Sequence, residues 1–310
     1  MRKRLTEIIC CPNCKGELIS KHEKTQGEEI IEGKLECSKC NYSYDIFEGV
    51  PRIILDVKKR KEIADRYGFE WAKRAEDSFE SDTLYGRSEE EELNYFFSSF
   101  GIQPSDLDGK RVLDAGCGCG RLTRMLGPYC SEVFGVDISS SIDQVYDYCK
   151  SQDNVHVIQA DILNLPFRTN YFDFVWSNGV ISYTGSSEEA FQSLSSLVKP
   201  RGKLFVRVFS TSKLAAAEKL KNIFWFSHKI PKQVLFYLCY LFAIPWSITK
   251  YIFNKQDKPL KINAFNLFDT LAHPFTRHSE EEVRNWFKRQ GFSLIMSRDE
   301  AGVAVSGVKE

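Results

Sequence analysis

Two stretches of this sequence hold residues whose types and spacing can do chemistry. The first is VLDAGCGCGRLT, from Val112 to Thr123. Gly116, Gly118 and Gly120 alternate with Cys117 and Cys119, and an acid, Asp114, stands just ahead of them. Glycines at such spacing permit a tight turn and let a ligand approach the backbone. The spacing departs from the G-x-G-x-x-G dinucleotide loop, whose third glycine would fall one residue later, and no Lys-Ser/Thr pair follows to make a phosphate-binding P-loop. Asp114 would repel a pyrophosphate and suits a cation such as an amino group. The loop cysteines have no histidine and no second cysteine pair near them in sequence. They read as small, buried-type residues in a turn and not as metal ligands.

The second stretch is a cysteine quartet: CPNC at Cys11 and Cys14, then CSKC at Cys37 and Cys40, separated by 22 residues. Each C-x-x-C turn offers two thiolates to one tetrahedral ion, and strands between the turns bring them together, as in a four-cysteine zinc ribbon. Four protein ligands close the coordination sphere, so the expected Zn2+ is structural. A redox dithiol would need a thioredoxin-like βαβ context, which the neighbouring residues lack. Cys10, beside Cys11, is expected to be a spectator. A unit this small, with few large apolar side chains, is marginal without such a staple. Loss of the metal is expected to loosen residues 5–55 and to leave the core of the rest protected.

The elements that must position these groups follow a change of pattern along the chain. The 310 residues are 43% hydrophobic and 27% charged, as in an ordinary globular protein. Lys plus Arg equals Asp plus Glu at 42 each, so no global field draws the chain to nucleic acid or anionic lipid. The basic start MRKRLTEIICCPNC lacks an apolar core of signal-peptide length, and the cysteine usage suggests reduced thiols, so a cytoplasmic location is expected. Residues 1–56 form the ribbon, with YSYDIFEGVPRIIL as its short closing strands. Residues 57–108 connect, with Ile63, Tyr67, Phe69 and Trp71 as apolar anchors and SEEEELNYFFSSFGI as a helix opened by Ser88.

From 109 to 310 the strands KRVLDAG, EVFGVDIS, NVHVIQAD, FDFVWSNGVI and GKLFVRVFS alternate with the helices GRLTRMLGPY, SSIDQVYDYCKSQ and SSEEAFQSLSSLVKP, the last two opened by serines. Such alternation implies an α/β fold, a parallel sheet covered on both faces. HSEEEVRNWFKRQGF then reads as a capped helix, and SLIMSRD with GVAVSGV as a closing antiparallel pair.

The glycine loop thus leaves a strand and enters a helix, where a doubly wound sheet binds nucleotide-like ligands. Asp137 ends the next strand, where an acid accepts hydrogen bonds from both ribose hydroxyls. Asp161 follows the third strand and could hold an adenine amino group, with Ile138 and Ile162 as apolar walls. Together they describe a pocket for a nucleoside with a charged amino-acid tail.

In order, VLDAGCGCGRLT, VFGVDIS, VIQADILNLPF, FDFVWSNGVISYTG and LVKPRGKLFVRV resemble class I S-adenosylmethionine-dependent methyltransferases, over about residues 105–210. The N-terminal unit resembles the Trm112-like zinc ribbons that some of these enzymes carry. The resemblance implies a seven-stranded Rossmann-like methyltransferase sheet with an antiparallel last strand. It implies that Asp114, Gly116, Cys117, Gly118 and Gly120 lie against the methionine part of S-adenosylmethionine. Asp137 would hold the ribose, Asp161 and Ile162 would border the adenine, and Asn178 and Gly179 would lie near the methyl-donor side. The sequence departs from the family at Cys119, where Thr or Ser is common, and at Ile181-Ser182-Tyr183, where a histidine is frequent; this leaves no obvious base there.

A sulfonium is a good leaving group, so a base is needed only for a hydroxyl or a protonated amine. Asp269, His273 and His278 are the candidates, with His273, in an expected loop, favoured and His278 read as the approach to a helix. Tyr67, Phe69 and Trp71 could fold over the donor, or serve as anchors on the sheet. The apolar helical insertion at about 212–262 is the least expected part. Within 222–253 the run from Val234 to Ile248 is 15 residues and contains Pro245, short for a membrane span, and the flanks are basic. It reads as a helical cap over the acceptor, as peripheral contact with a membrane or a lipid-like acceptor, or as a protein interface. The expected acceptor is a small molecule, a glycan or a lipid-like compound. Competing classes are an RNA-modifying enzyme, a non-catalytic scaffold that binds S-adenosylmethionine, and an NAD-type oxidoreductase, which the glycine spacing disfavours.

Overall fold

The N-terminal unit, read as a free-standing ribbon, is stitched into the larger sheet. The computed structural model describes residues 1–56, 64–65, 67–73, 87–212, 227, 230–254, 260–272, 275–299 and 302–310. After a short helix, α1 (Leu5–Ile8), strands β1 (Leu18–Gln26), β2 (Glu29–Cys37), β3 (Ser43–Phe47) and β4 (Val50–Ile53) pair antiparallel in sequence order. β4 then pairs parallel with β7 (Val155–Ala160), Ile53 opposite Ala160. Leu5, Ile9, Leu35 and Tyr44 belong to the same apolar cluster as Leu113, Phe134, Phe167 and Phe172. The ribbon therefore covers what would otherwise be an open, adhesive sheet edge.

The five parallel strands expected from the alternation are present as β5 (Arg111–Ala115), β6 (Glu132–Asp137), β7, β8 (Phe172–Asn178) and β9 (Val198–Ser210). Their order is β7-β6-β5-β8-β9. β11 (Phe292–Asp299) and β12 (Val303–Lys309) form the closing antiparallel pair, with β12 antiparallel to β9. The two-residue β10 (Arg277–His278) pairs with the end of β9. β6 and β7 are buried along their whole length, as strands covered on both faces must be. Strand order reverses between β5 and β8, which puts the ligand crevice of a doubly wound sheet beyond their carboxyl ends.

Helix α2 (Glu89–Phe100) starts at Ser88 in a reciprocal cap: Glu91 N–H donates to Ser88 Oγ at 3.2 Å, and Ser88 N–H donates to the Glu91 carboxylate at 2.7 Å. Its Phe96 and Phe100 pack on Trp176, which stacks on Phe205 at 3.9 Å. Helices α3 (Arg121–Leu126), α4 (Ile142–Cys149) and α5 (Ser187–Leu197) follow the expected places. The serines before α4 and α5 occupy the cap positions without bonding the helix N–H groups; Ser187 Oγ instead donates to the Ile181 carbonyl at 3.0 Å.

The insertion forms α6 (Lys232–Asn254), which continues through Pro245, and α7 (Leu260–Ala272), which runs past the boundary expected near 262. They pack on each other through a separate apolar cluster, onto which Phe69 folds against Phe236 at 5.8 Å. No helix among the described residues is long and apolar enough to cross a membrane. α8 (Glu280–Arg289) follows, capped by Ser279, whose Oγ accepts Glu282 N–H at 3.1 Å.

Candidate functional site

The glycine loop turns sharply because Gly116 has φ +88° and Gly118 φ +57°, where a side chain is strained. A Cβ on Gly118 would also meet the Trp71 ring at 2.7 Å, so the indole lies directly on the loop. The loop is not a phosphate cradle. Its amides are already spent inside the protein: Gly116 and Cys117 N–H donate to the Val136 carbonyl at 2.7 and 3.0 Å, and Gly118 N–H donates to the Asp137 carboxylate at 2.9 Å. Burial pushes the Cys117 thiol well above its ordinary range, so it stays protonated.

A cavity of about 390 Å3 opens beside the loop at the carboxyl ends of β5 and β8. Of the residues expected around a donor, Asp114, Gly116, Cys117, Asp137, Ile138, Asp161, Ile162, Asn178 and Gly179 line it. Gly118 and Gly120 shape the loop behind it. Asp137 accepts Ser139 N–H on its other oxygen at 2.8 Å, so each oxygen holds at least one amide. Asp161 accepts Leu163 N–H at 3.0 Å. Asn178 Oδ1 is buried without a hydrogen-bond partner, an orphan that a donor group in the cavity would satisfy.

Asp114 is buried, and Thr123 Oγ1 donates to it at 2.6 Å. Burial raises its pKa from 3.8 to about 7 against that hydrogen bond, with the negative Glu92 and Asp137 adding to the rise. The unfolded chain releases this proton near 3.8 and the folded chain near 7, so between those values the folded state holds more protons. Stability from this group is therefore lost as pH rises from about 4 to 7. Asp114→Asn is expected to flatten that slope in melts across this range; an unchanged slope would mean the carboxyl is ionised throughout.

Several lining residues have no signature in the local sequence. Arg121 is buried against Glu92 at 3.5 Å and donates to the Arg87 carbonyl at 3.2 Å, which ties α2 to α3 at the cavity wall. Also in the wall, Tyr183 donates to the Asp269 carboxylate, 2.8 Å from each oxygen. Tyr183 follows β8 and Asp269 comes from α7, so the insertion completes the wall. Tyr67 packs edge-on to Tyr183 at 5.7 Å. Of the expected aromatic cover, Tyr67 and Trp71 reach the cavity, whereas Phe69 serves the α6–α7 core. His273 lies outside the described residues. His278 is away from the cavity: its ring bonds Glu282, Ser187 and Thr276 and packs on Trp286, which is structural work.

The cysteine quartet assembles as expected. The Sγ atoms of Cys11, Cys14, Cys37 and Cys40 all lie within 4.8 Å of one another, with Cys14 at 3.4 Å from Cys37 and Cys11 at 3.7 Å from Cys40. A tetrahedral ion with Zn–S bonds of about 2.3 Å has sulfur–sulfur edges of about 3.8 Å, so the cluster has the size to hold zinc. The Tyr44 hydroxyl sits 3.3 Å from Cys11 Sγ, a second-sphere contact. Cys10 is fully buried outside the cluster. Among the described residues no other group of cysteines, histidines or acids gathers its ligand atoms so closely.

Comparisons with known proteins agree with this layout. Residues 2–49 match the Trm112p-like protein family, and residues 113–206 match the methyltransferase domain family. The malonyl-[acyl-carrier protein] O-methyltransferase of Enterobacter lignolyticus is 36% identical over 94 residues, 30% of this chain and 37% of that protein. The ubiquinone/menaquinone biosynthesis C-methyltransferase of Vibrio cholerae is 34% identical over 132 residues, 40% of this chain and 50% of that protein. The chain thus spans half or less of the length of these relatives. A solved complex containing the Haloferax volcanii Trm112 methyltransferase activator shares the fold, with a TM-score of 0.50 at 15% identity, over 79% of this chain and 97% of that one. The chain therefore joins a Trm112p-like domain, residues 2–49, to a methyltransferase domain, residues 113–206.

Proposed function

We propose that the protein moves a methyl group from S-adenosylmethionine to an oxygen or nitrogen nucleophile, less favourably a carbon, of a small-molecule, glycan or lipid-like acceptor, and that its cysteine quartet holds a structural zinc ion. The observation that carries the reading is the lining of one cavity. It brings acids from three successive strand ends together with the hydrogen-bonded Tyr183–Asp269 pair. Asp137 would take the ribose hydroxyls, Asp161 the adenine edge, and Asp114 the cationic amino group. Trp71 over the loop offers an aromatic face to a sulfonium. When bound, S-adenosylmethionine supplies an activated methyl group with a good leaving group attached.

The remaining work falls to the chain's own residues: to hold the acceptor in line and to take its proton. Orientation alone supplies about 7–11 kcal/mol in favourable cases. Tyr183 donates its hydroxyl hydrogen bond to the Asp269 carboxylate, which is placed to draw that proton. A proton leaving an acceptor hydroxyl can pass to Tyr183 Oη as the tyrosine proton passes to Asp269. This pair would supply the base for which the sequence of Ile181-Ser182-Tyr183 shows no obvious candidate. Tyr183→Phe and Asp269→Asn are each expected to lower kcat by about 10²-fold, the low end for general acid–base catalysis, with S-adenosylhomocysteine affinity unchanged. Full activity in both variants would remove the pair from the mechanism.

The relatives support methyl transfer in common and differ in the acceptor atom, one an O- and the other a C-methyltransferase. The deciding experiment is transfer of labelled methyl from S-adenosylmethionine into protein, RNA, lipid and small-molecule fractions of a host extract. Label in RNA would replace the proposed acceptor class. Binding of S-adenosylhomocysteine with no label in any fraction would favour a scaffold. The ribbon's place is read as bracing the catalytic sheet from within the same chain, supported by the β4–β7 pairing.

A further inference from the structure

Helix α6 is apolar on two opposite faces. Leu235, Phe236 and Cys239 bury one face against Phe265, Phe268 and Leu271 of α7. On the other, Val234, Tyr237, Leu241, Ile244 and Ile248 are between 41% and 65% exposed. They recur every three or four residues, which sets them in one stripe along the helix. A helix that is apolar all round belongs in a protein core or in a membrane. This one is committed to α7 on one side, and no helix among the described residues is long and apolar enough to cross a membrane. An orientation in the plane of the interface satisfies both facts, with one face on protein and the other among the acyl chains.

Charge selects the occupant of the stripe. Between Glu218 and Asp257 the sequence has no acid, but it has Lys219, Lys221, Lys229, Lys232, Lys250 and Lys255. Lysines flanking an apolar stripe are drawn to anionic headgroups. A second copy of the same segment offers no acid to pair with these lysines. We infer that the exposed stripe of α6 docks this protein on an anionic membrane surface, the helix lying in the membrane plane. Asp269 brings α7, the helix on which α6 packs, into the cavity wall, so a membrane docked on α6 lies one helix away from the cavity. Resting on the methyl-transfer reading, this makes a lipid-like molecule the acceptor class; the docking itself does not depend on that reading.

The test is sedimentation of the full chain with phosphatidylcholine vesicles, with and without phosphatidylglycerol. Wild type is compared with Tyr237→Glu/Leu241→Glu and, without new charge, with Leu241→Ser/Ile248→Ser. Wild type should bind the mixed vesicles and bind neutral ones more weakly. Both variants should lose about tenfold or more in partition at unchanged S-adenosylhomocysteine affinity. Equal partition of variants and wild type would overturn the inference. So would absence of vesicle binding, or self-association of wild type in solution that the variants abolish. Vesicle binding by a protein that fails to bind S-adenosylhomocysteine would leave the docking standing and sink the methyl-transfer reading instead.

Discussion

Chelating zinc from the cysteine quartet, or the substitution Cys14→Ser, should unfold the ribbon and the methyltransferase sheet together. The magnitudes favour this outcome. A structural zinc site contributes about 10–16 kcal/mol of apparent folding free energy, against a net stability of about 5–15 kcal/mol for a whole domain. Residues 5–55 cannot leave without consequence, because their side chains complete the core of the sheet. Ile9 bridges Phe167, Cys10 N–H donates to the Pro166 carbonyl at 2.9 Å, and Arg4 reaches the buried Glu132 at 3.1 Å. Uncovering one large apolar side chain costs about 1.5–3 kcal/mol, and this cluster holds several, Phe134, Phe167 and Phe172 among them. The edge of β7 would also lose β4. Hydrogen exchange with and without chelator checks it: amides of β5 and β6 should lose protection along with those of β1–β4. If they stay protected while residues 5–55 exchange freely, the ribbon is a separate folding unit, as its sequence alone suggests.

That contrast shows where sequence is legible and where it is not. A C-x-x-C turn carries its own geometry, so the quartet can be read from spacing. The strand-end acids Asp114, Asp137 and Asp161 are legible for a similar reason. In a parallel sheet the carboxyl ends of successive strands gather at one edge, and alternation alone tells where each strand stops. VPRI reads as a strand, but nothing within it names β7 as its partner. Tyr183 and Asp269 stand 86 residues apart, and their meeting depends on how α6 and α7 pack. Asp269 is visible as one of three candidate bases, and Tyr183 only as the residue where a histidine is missing. The capping signals divide likewise. Ser88 makes its reciprocal cap, whereas Ser186 loses out because the neighbouring Ser187 is drawn to a tertiary partner, the Ile181 carbonyl.

Asp137→Ala should weaken S-adenosylhomocysteine binding by about 10²–10⁴-fold. The estimate rests on two hydrogen bonds from ribose hydroxyls to a carboxylate, each worth about 1.5–3 kcal/mol when one partner is charged. The side chain has a second task, because it also receives the amides of Gly118 and Ser139 and so holds the glycine loop to the end of β6. Its removal leaves two buried N–H groups without an acceptor, at about 1–3 kcal/mol each. Part of any affinity loss could then be a loop that has moved. Asp137→Asn separates the two tasks, since its carbonyl can still accept one amide while the charge is gone. Burial already pushes the pKa of Asp137 up, so the neutral amide relieves a desolvation cost as well. Asn is therefore expected to melt nearer to wild type than Ala does and still to bind at least about tenfold more weakly than wild type. Calorimetric titration and melting of the same samples read both effects. Wild-type affinity in an intact Asp137→Ala protein would mean that the ribose, and with it the donor, lies elsewhere in the cavity.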